Sequence, residues 1–294
     1  MSAQTFEDPG PVPPNVPTEN DVPFTNPFTF KEDFDADGYG DILITNQEGF
    51  TYSVMLTGQD GNEWKDWSWV NAPQNYTVLA SYYHNGAMNL IVKSKEVGQE
   101  WSFIINLTGD RNTEWGGWHW INIPKEFTVK AVSDLNSDGK IDLVVEDQNQ
   151  DKFIIYLTGD NNNAWLDYVW VNIPKHHEVR GIGHFNTDYK ADLVVQDKNT
   201  GSKYIVFLTG ENNNQWLDWT WVNAPQDMDL KGTADLNADG TRDLIVEDAE
   251  GSKYVVFLQG DLNNEWLDWA WINLPQDYEV TGPTPTAIPA PPAS

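Results

Sequence analysis

Three short stretches of the sequence place an oxygen-bearing side chain at every second position. The first reads Asp33-Phe-Asp35-Ala-Asp37-Gly38-Tyr-Gly-Asp41. The second carries Asp134, Asn136, Asp138, Gly139 and Asp142, and the third Asp235, Asn237, Asp239, Gly240 and Asp243. The shared pattern, D-x-[DN]-x-D-G-x-x-D, lets alternate donors of a tight loop converge on one hard cation, with the glycine permitting the turn. Ca²⁺ is the cofactor such donors select, and the expectation is about three sites. An EF-hand is excluded, because the twelfth position is Ile44, Val145 or Val246 where a bidentate glutamate is required. Asp, Asn and Gly are also ordinary turn formers, but four donor positions in each of three loops favour the cation. Two related loops are degenerate. His184, Asn186, Asp188, Tyr189 and Asp192 lose the first carboxylate and the glycine, while Tyr83-His84-Asn85-Gly86-Ala-Met-Asn89 is shorter and holds no aspartate. The second of these reads as an unmetallated turn.

A second recurring constellation is aromatic. It runs Asn62-Glu-Trp64-Lys-Asp66-Trp67-Ser-Trp69 in the first copy and Asn214-Gln-Trp216-Leu-Asp218-Trp219-Thr-Trp221 in the fourth, with equivalents in the other three. Indole faces stack on the C–H surfaces of sugars, and neighbouring Asn and Asp can hydrogen-bond hydroxyls, so five copies would bind glycans multivalently. The candidate ligand-binding residues are Trp64, Trp115, Trp165, Trp216 and Trp266. Trp67, Trp69 and their equivalents are expected instead to fill space between neighbouring sheets.

Other reactive residues are scattered. His84, His119, His176, His177 and His184 occupy unrelated repeat positions, and His176-His177 is a pair that could hold a transition metal but reads as an exposed loop. The carboxylate pairs Glu146/Asp147 and Glu247/Asp248 follow the repeat and read as solvated strand edges. Catalysis needs an asymmetric site, and none stands out. The expectation is that the chain is not an enzyme.

The elements that must position these groups follow from a period. Apart from the proline-rich ends, the prolines are Pro73, Pro124, Pro174, Pro225 and Pro275, spaced by 51, 50, 51 and 50 residues. The tripeptides ending at Gly58, Gly109, Gly159, Gly210 and Gly260 keep the same step. Self-similarity at a fixed period announces a repeat architecture. Each copy reads as four strands; in the third these cover residues 127–133, 143–146, 152–158 and 165–172. Tyr168 and Trp170 then lie on one face and Val169 and Val171 on the other. No segment has helical periodicity. An all-β, five-bladed β-propeller of ~50-residue, four-stranded repeats follows, with a β-solenoid as the lesser alternative.

The expected organisation is a proline-rich arm at residues 1–27, a propeller at 28–282 and a second proline-rich arm at 283–294. Two segments compete for one strand of the first blade: Phe28-Thr-Phe30, and the stretch around Tyr278-Glu-Val280 that follows the fifth copy. The loops resemble the calcium-binding repeats of FG-GAP/VCBS-type proteins, which build integrin-α-like propellers and related lectins. That resemblance implies Ca²⁺ held mainly for structure by Asp33, Asp35, Asp37 and Asp41, by Asp134, Asn136, Asp138 and Asp142, and by Asp235, Asn237, Asp239 and Asp243. The FG and GAP dipeptides themselves are absent, so integrin-type partner binding is not implied.

Composition narrows the partners. With 45 acidic and 17 basic residues the 294-residue chain carries a formal charge of −28, which opposes nucleic acid and anionic membranes. No cysteine is present, so disulfides and thiol chemistry are excluded. No apolar run suggests membrane insertion, and no ordinary secretory signal is visible. Two function classes stay open. One is a calcium-stabilised extracellular recognition or adhesion module, binding glycan or another surface. The other is a structural subunit of a virion surface or extracellular filament, tied to neighbouring subunits by the terminal arms.

Overall fold

The computed structural model describes residues 34–281, apart from 36, 38, 58–61, 85–86, 99, 160, 187, 189, 211–212 and 240. Both expected arms, the Phe28–Phe30 strand and Asp33 lie outside the described residues. Among the described residues twenty strands form five antiparallel sheets of four. The first sheet holds β1 (Ile42–Thr45), β2 (Thr51–Thr57) and β3 (Glu63–Val70). The second is β4 (Tyr76–His84), β5 (Ala87–Ser94), β6 (Ser102–Thr108) and β7 (Glu114–Trp120). The third is β8 (Thr128–Ser133), β9 (Asp142–Glu146), β10 (Lys152–Thr158) and β11 (Ala164–Val171). The fourth is β12 (His177–Gly183), β13 (Asp192–Asp197), β14 (Lys203–Thr209) and β15 (Gln215–Val222). The fifth is β16 (Asp229–Ala234), β17 (Asp243–Glu247), β18 (Lys253–Gln259) and β19 (Glu265–Ile272).

The last strand, β20 (Glu279–Val280), does not stay with the fifth sheet. It pairs antiparallel with β1 through Ile44↔Val280 and Thr45↔Glu279, giving the order β20-β1-β2-β3. The C-terminal segment therefore takes the contested strand of blade 1, and the ring closes as a five-bladed propeller. A solenoid is excluded by this pairing of last strand with first. Apolar side chains at alternate positions bury both faces of each sheet, and every core cluster is shared between neighbouring blades. Val280, for example, packs with Ile44 and Leu56 of blade 1 and with Leu236 and Ile272 of blade 5.

The first strands of the blades line the centre, where approach is close. A Cβ on Gly181 of β12 would stand 2.6 Å from Thr233 Cγ2 of β16, so only glycine fits there. A Trp-[Val/Ile]-Asn-x-Pro segment ends the last strand of every blade, and it ties blades 1, 2 and 4 to the next through Asn71 N to Thr113 O, Asn122 N to Asn163 O and Asn223 N to Asn264 O. In blades 3–5 a fully buried lysine, Lys152, Lys203 or Lys253, turns its ammonium onto the carbonyls of that segment, as in Lys203 Nζ to Pro225 O at 2.6 Å and Met228 O at 2.8 Å. Burial pushes the Lys203 ammonium down to about 8. Blades 1 and 2 carry Thr51 and Ser102 at this position.

Candidate functional site: metal loops, rim aromatics and channel

The acidic loops join the first and second strands of blades 3 and 5, and in blade 1 the acidic loop leads directly into β1. In blade 3 the Asp134 carboxylate accepts the Asp138 amide at 3.0 Å and the Gly139 amide at 2.8 Å. Asn136 Oδ1 also accepts from Asp138 N, and its amide nitrogen donates to Asp138 Oδ2 at 3.1 Å. Blade 5 repeats this arrangement with Asp235, Asn237 and Asp239. In blade 1, Asp35 Oδ1 is buried without a hydrogen-bond partner, an acceptor that a cation would satisfy. Yet Lys65 Nζ stands 2.7 Å from both Asp35 Oδ2 and Asp37 Oδ2, and these carboxylates hold its ammonium above the ordinary range. A tethered cation thus competes for the first loop. Blades 3, 4 and 5 carry Leu166, Leu217 and Leu267 at the position of Lys65, and blade 2 carries Gly116.

The last carboxylate of each loop has a different task. Asp142 is fully buried, with Oδ2 accepting from Leu135 N at 2.9 Å and Asn136 N at 3.3 Å, and Oδ1 from Leu157 N at 3.4 Å. Asp41 receives Phe34 N and Leu56 N, and Asp243 receives Leu236 N and Leu258 N. Asp192 of the degenerate fourth loop receives Phe185 N and Leu208 N. The residue clamps the loop onto the third strand wherever it occurs, metal motif or not. Desolvation pushes the carboxyls of Asp142 and Asp192 up to about 8, and that of Asp243 well up. In loop 4, burial also drives the His184 imidazole down to about 4, so it stays neutral. In blade 2, β4 and β5 pair as far as His84↔Ala87.

The aromatics reverse the sequence expectation. Trp67, Trp69 and their equivalents do not fill the interior: their exposures run from 45% at Trp221 to 56% at Trp118. Trp64, Trp165, Trp216 and Trp266 are instead half-buried against the core clusters. A β-bulge sets which face these rings share. Leu208 pairs with Trp216 but Phe207 pairs with Asp218, so Leu217 is extra and Trp216, Trp219 and Trp221 share one face. Plain alternation would have put Trp216 and Trp219 on opposite faces. Asp218 Oδ1 accepts Trp219 N at 2.8 Å, and Asp66, Asp167 and Asp268 hold the same bulge in their blades.

The outermost strands therefore present aromatic surfaces around the rim. Tyr204 and Trp219 lie 4.7 Å apart, Tyr254 and Trp269 4.9 Å, and Tyr52 and Trp67 4.6 Å. On blade 2, beside the segment that connects it to blade 1, a groove of about 190 Å³ is lined by Pro73, Tyr76, Phe103, Trp115 and Trp118. Trp115, unlike its equivalents, is exposed. Asp66, on the face of blade 1 opposite its tryptophans, reaches Arg111 of blade 2 at 2.6 Å, an ion pair between neighbouring blades. The burial pattern fixes an expected result. Trp216→Ala should cost about 3 kcal/mol of stability and Trp219→Ala about 1 kcal/mol, read from denaturant unfolding. Equal losses would refute the division.

At the centre, all five first strands meet around a cavity of about 240 Å³ that includes Lys130, Glu178, Arg180 and Lys231. Arg180 bonds Glu178 at 3.0 Å and approaches Asp229 at 3.6 Å, and Lys130 reaches Glu178 at 3.0 Å. Glu146 and Glu247 are not solvated edges: they pair with Lys130 and Lys152, and with Lys231 and Lys253. Asp147 and Asp248 cap turns. This charge network is not five-fold, and the repeat had concealed it.

No family model and no curated protein matches the sequence. Among solved structures the chain is similar to the Dos1 propeller, at 9% identity and TM-score 0.35, covering 85% of this chain and 67% of that one. It is similar to BBS1N in complex with ARL6DN, at 15% and 0.37, covering 81% and 63%. A third is the GH43 β-1,3-galactosidase BT3683 with galactodeoxynojirimycin, at 11% and 0.45, covering 85% and 94%. These are likenesses of fold. They correct one expectation: propellers similar to this chain include a glycoside hydrolase, so repeat symmetry gives no ground for calling the chain a non-enzyme. The asymmetric centre agrees with that correction, and fold does not establish catalysis.

Proposed function

We propose that the propeller is a recognition or adhesion module that holds neutral glycans along its rim. The observation that carries this reading is the set of half-exposed ring pairs on the outermost strand of all five blades. Half-exposed indoles offer flat apolar faces for sugar C–H surfaces, and Asp167, Asp218 and Asp268, each with one oxygen on its bulge amide, have the other for hydroxyls. The charge of −28 disfavours anionic sugars. Five weak sites gain by avidity on a surface that displays the ligand densely. An array of neutral glycans should show binding by the intact chain, and Trp219→Ala with Trp221→Ala should weaken it while the protein stays folded, its melting temperature falling by only a few degrees. A folded protein that binds no neutral glycan would overturn the proposal. The structural-subunit alternative depends on the two arms, which lie outside the described residues.

Calcium belongs to the same reading. Asp134, Asn136 and Asp138, and Asp235, Asn237 and Asp239, would hold the ion in blades 3 and 5, with the FG-GAP/VCBS resemblance as support. The donor set fits a hard cation. A bound Ca²⁺ would offset carboxylate repulsion within each loop, and affinities in the range of extracellular modules would suit work outside the cell or on a particle surface. Chelation is expected to lower the melting temperature. Asp138→Ala and Asp239→Ala should each remove part of that difference, whereas Asp188→Ala in blade 4 should not. Identical melting curves in chelator and in millimolar Ca²⁺ would exclude the ion.

A further inference from the structure

Blade 4 carries a cluster that the repeat does not require. His176 immediately precedes β12, His177 opens it, and Asp197 closes β13 directly opposite as the pair His177↔Asp197. One ligand atom from each of the three lies within 4.8 Å of the others, and the imidazole centroids are 4.4 Å apart.

Comparison between blades separates what the fold needs from what it does not. The aspartate belongs to the fold. Asp147 and Asp248 cap the same turn in blades 3 and 5, and Asn46 does so in blade 1, accepting Glu48 N and Phe50 N. Asp197 accepts Asn199 N at 2.8 Å and Thr200 Oγ1 at 3.1 Å, one donor on each oxygen, which leaves lone pairs for a further ligand.

The histidines are departures. Tyr76, Phe127, Met228 and Tyr278 occupy the place of His177 in the other blades. There an aromatic ring packs on the third strand, as Tyr76 does on Phe103 at 5.5 Å and Phe127 on Phe153 at 5.6 Å. His177 keeps that packing, 5.4 Å from Tyr204, but adds a nitrogen where the others present carbon. His177 Nδ1 is buried and has no hydrogen-bond partner, which native structures seldom tolerate without a ligand. The place of His176 holds Asn75, Glu126, Asp227 or Asp277, so a second imidazole beside the first is also peculiar to this blade.

We propose that His176, His177 and Asp197 bind one divalent transition-metal ion, of the Zn²⁺ or Cu²⁺ kind. Two imidazoles and a carboxylate are borderline donors that suit these ions and not Ca²⁺ or Mg²⁺. The site is therefore chemically distinct from the acidic loops and occurs once per ring. Three protein donors leave a coordination position on the exposed His176 side for water or an external ligand. The neighbouring Lys152 ammonium, which would repel a cation, is engaged by Glu146 at 3.3 Å and by the carbonyls of Gln150 and Lys175.

The test uses the untagged full chain in millimolar Ca²⁺, so that the acidic loops do not compete for the added ion. Zn²⁺ is titrated by calorimetry, and Cu²⁺ binding is followed by electron paramagnetic resonance. The expected result is one tight equivalent, with nitrogen couplings from two imidazoles on Cu²⁺. The variants His176→Asn, His177→Tyr and Asp197→Asn each install the residue that another blade uses at that place, so the fold has already accommodated them. Each should weaken binding at least as much as loss of an outer-shell partner does, on the order of 10–100-fold. The double variant of both histidines should lose the equivalent while keeping the wild-type melting temperature without metal. Absence of a specific equivalent in the wild type, its persistence in the folded double variant, or a Cu²⁺ spectrum without nitrogen couplings would overturn the proposal.

Discussion

Truncation at residue 276 is expected to open the ring and lower the melting temperature by roughly 10–20 °C, because β20 is the only described strand that joins the end of the chain to blade 1. Its contribution can be built from parts. The backbone pairs at Ile44↔Val280 and Thr45↔Glu279 are followed by Thr281 N donating to Leu43 O at 2.9 Å. The hydroxyls of Thr45 and Thr281 meet at 2.6 Å. Hydrogen bonds of this kind add about 1 kcal/mol each. Val280 is buried between blades 1 and 5, and Tyr278 packs on Tyr52 at 5.8 Å; burial of two such side chains adds about 1.5–3 kcal/mol each. The total is on the order of 5–8 kcal/mol, a large share of the ~5–15 kcal/mol that stabilises a typical domain. Circular dichroism and tryptophan fluorescence melts of the truncated and full chains measure it. Removal of residues 283–294 alone is the control, and a truncated chain that melts with the full one would show that closure lies elsewhere.

The propeller could be read from the sequence because its signals were local and repeated. The Trp-[Val/Ile]-Asn-x-Pro segment recurs in all five copies and the D-x-[DN]-x-D-G loop in three, at the length of a blade, and the four strands of the third copy fall within a few residues of their places. Closure by Val280 was visible as a surplus strand, but its partner could not be assigned, since pairing across the ring leaves no mark in local periodicity. Which tryptophans share a face was hidden in the sequence. The bulge at Leu217 adds one residue to the strand, so the spacing from Trp216 to Trp219 no longer reports the face. The clamp role of Asp142 was hidden because a carboxylate that receives backbone amides and one that ligates a cation look alike in sequence. Asp192, kept in a loop that had lost its first carboxylate and its glycine, was the available signal. The charged centre escaped notice because Lys130, Glu178, Arg180 and Asp229 come from three blades and break the repeat.

The clamp aspartates supply the second large expected effect, and the fourth loop, which lacks the first carboxylate and the glycine of the acidic motif, separates it from calcium. Asp192→Ala should destabilise the protein by roughly 2–6 kcal/mol, because Phe185 N and Leu208 N would be left buried without acceptors at about 1–3 kcal/mol each. The loss should be the same in Ca²⁺ and in chelator. Asp142→Ala should lose at least as much, since three amides depend on it, and should in addition respond to Ca²⁺ if the ion uses that loop. A pH signature accompanies the substitution. Desolvation outweighs the two amide bonds and raises the Asp192 carboxyl from its ordinary value to about 8. Between those values the folded state keeps a proton that the unfolded chain releases, so this group's contribution is full at acid pH and falls as pH rises toward 8. Asp192→Asn holds a neutral side chain of the same shape at every pH. Its unfolding free energy, measured by denaturant titration from pH 4 to pH 8, should lack the part of the wild-type decline that Asp192 causes. A wild-type protein whose stability rises with pH in parallel with Asp192→Asn would show that the carboxyl is ionised in the fold, held by its amides rather than governed by burial.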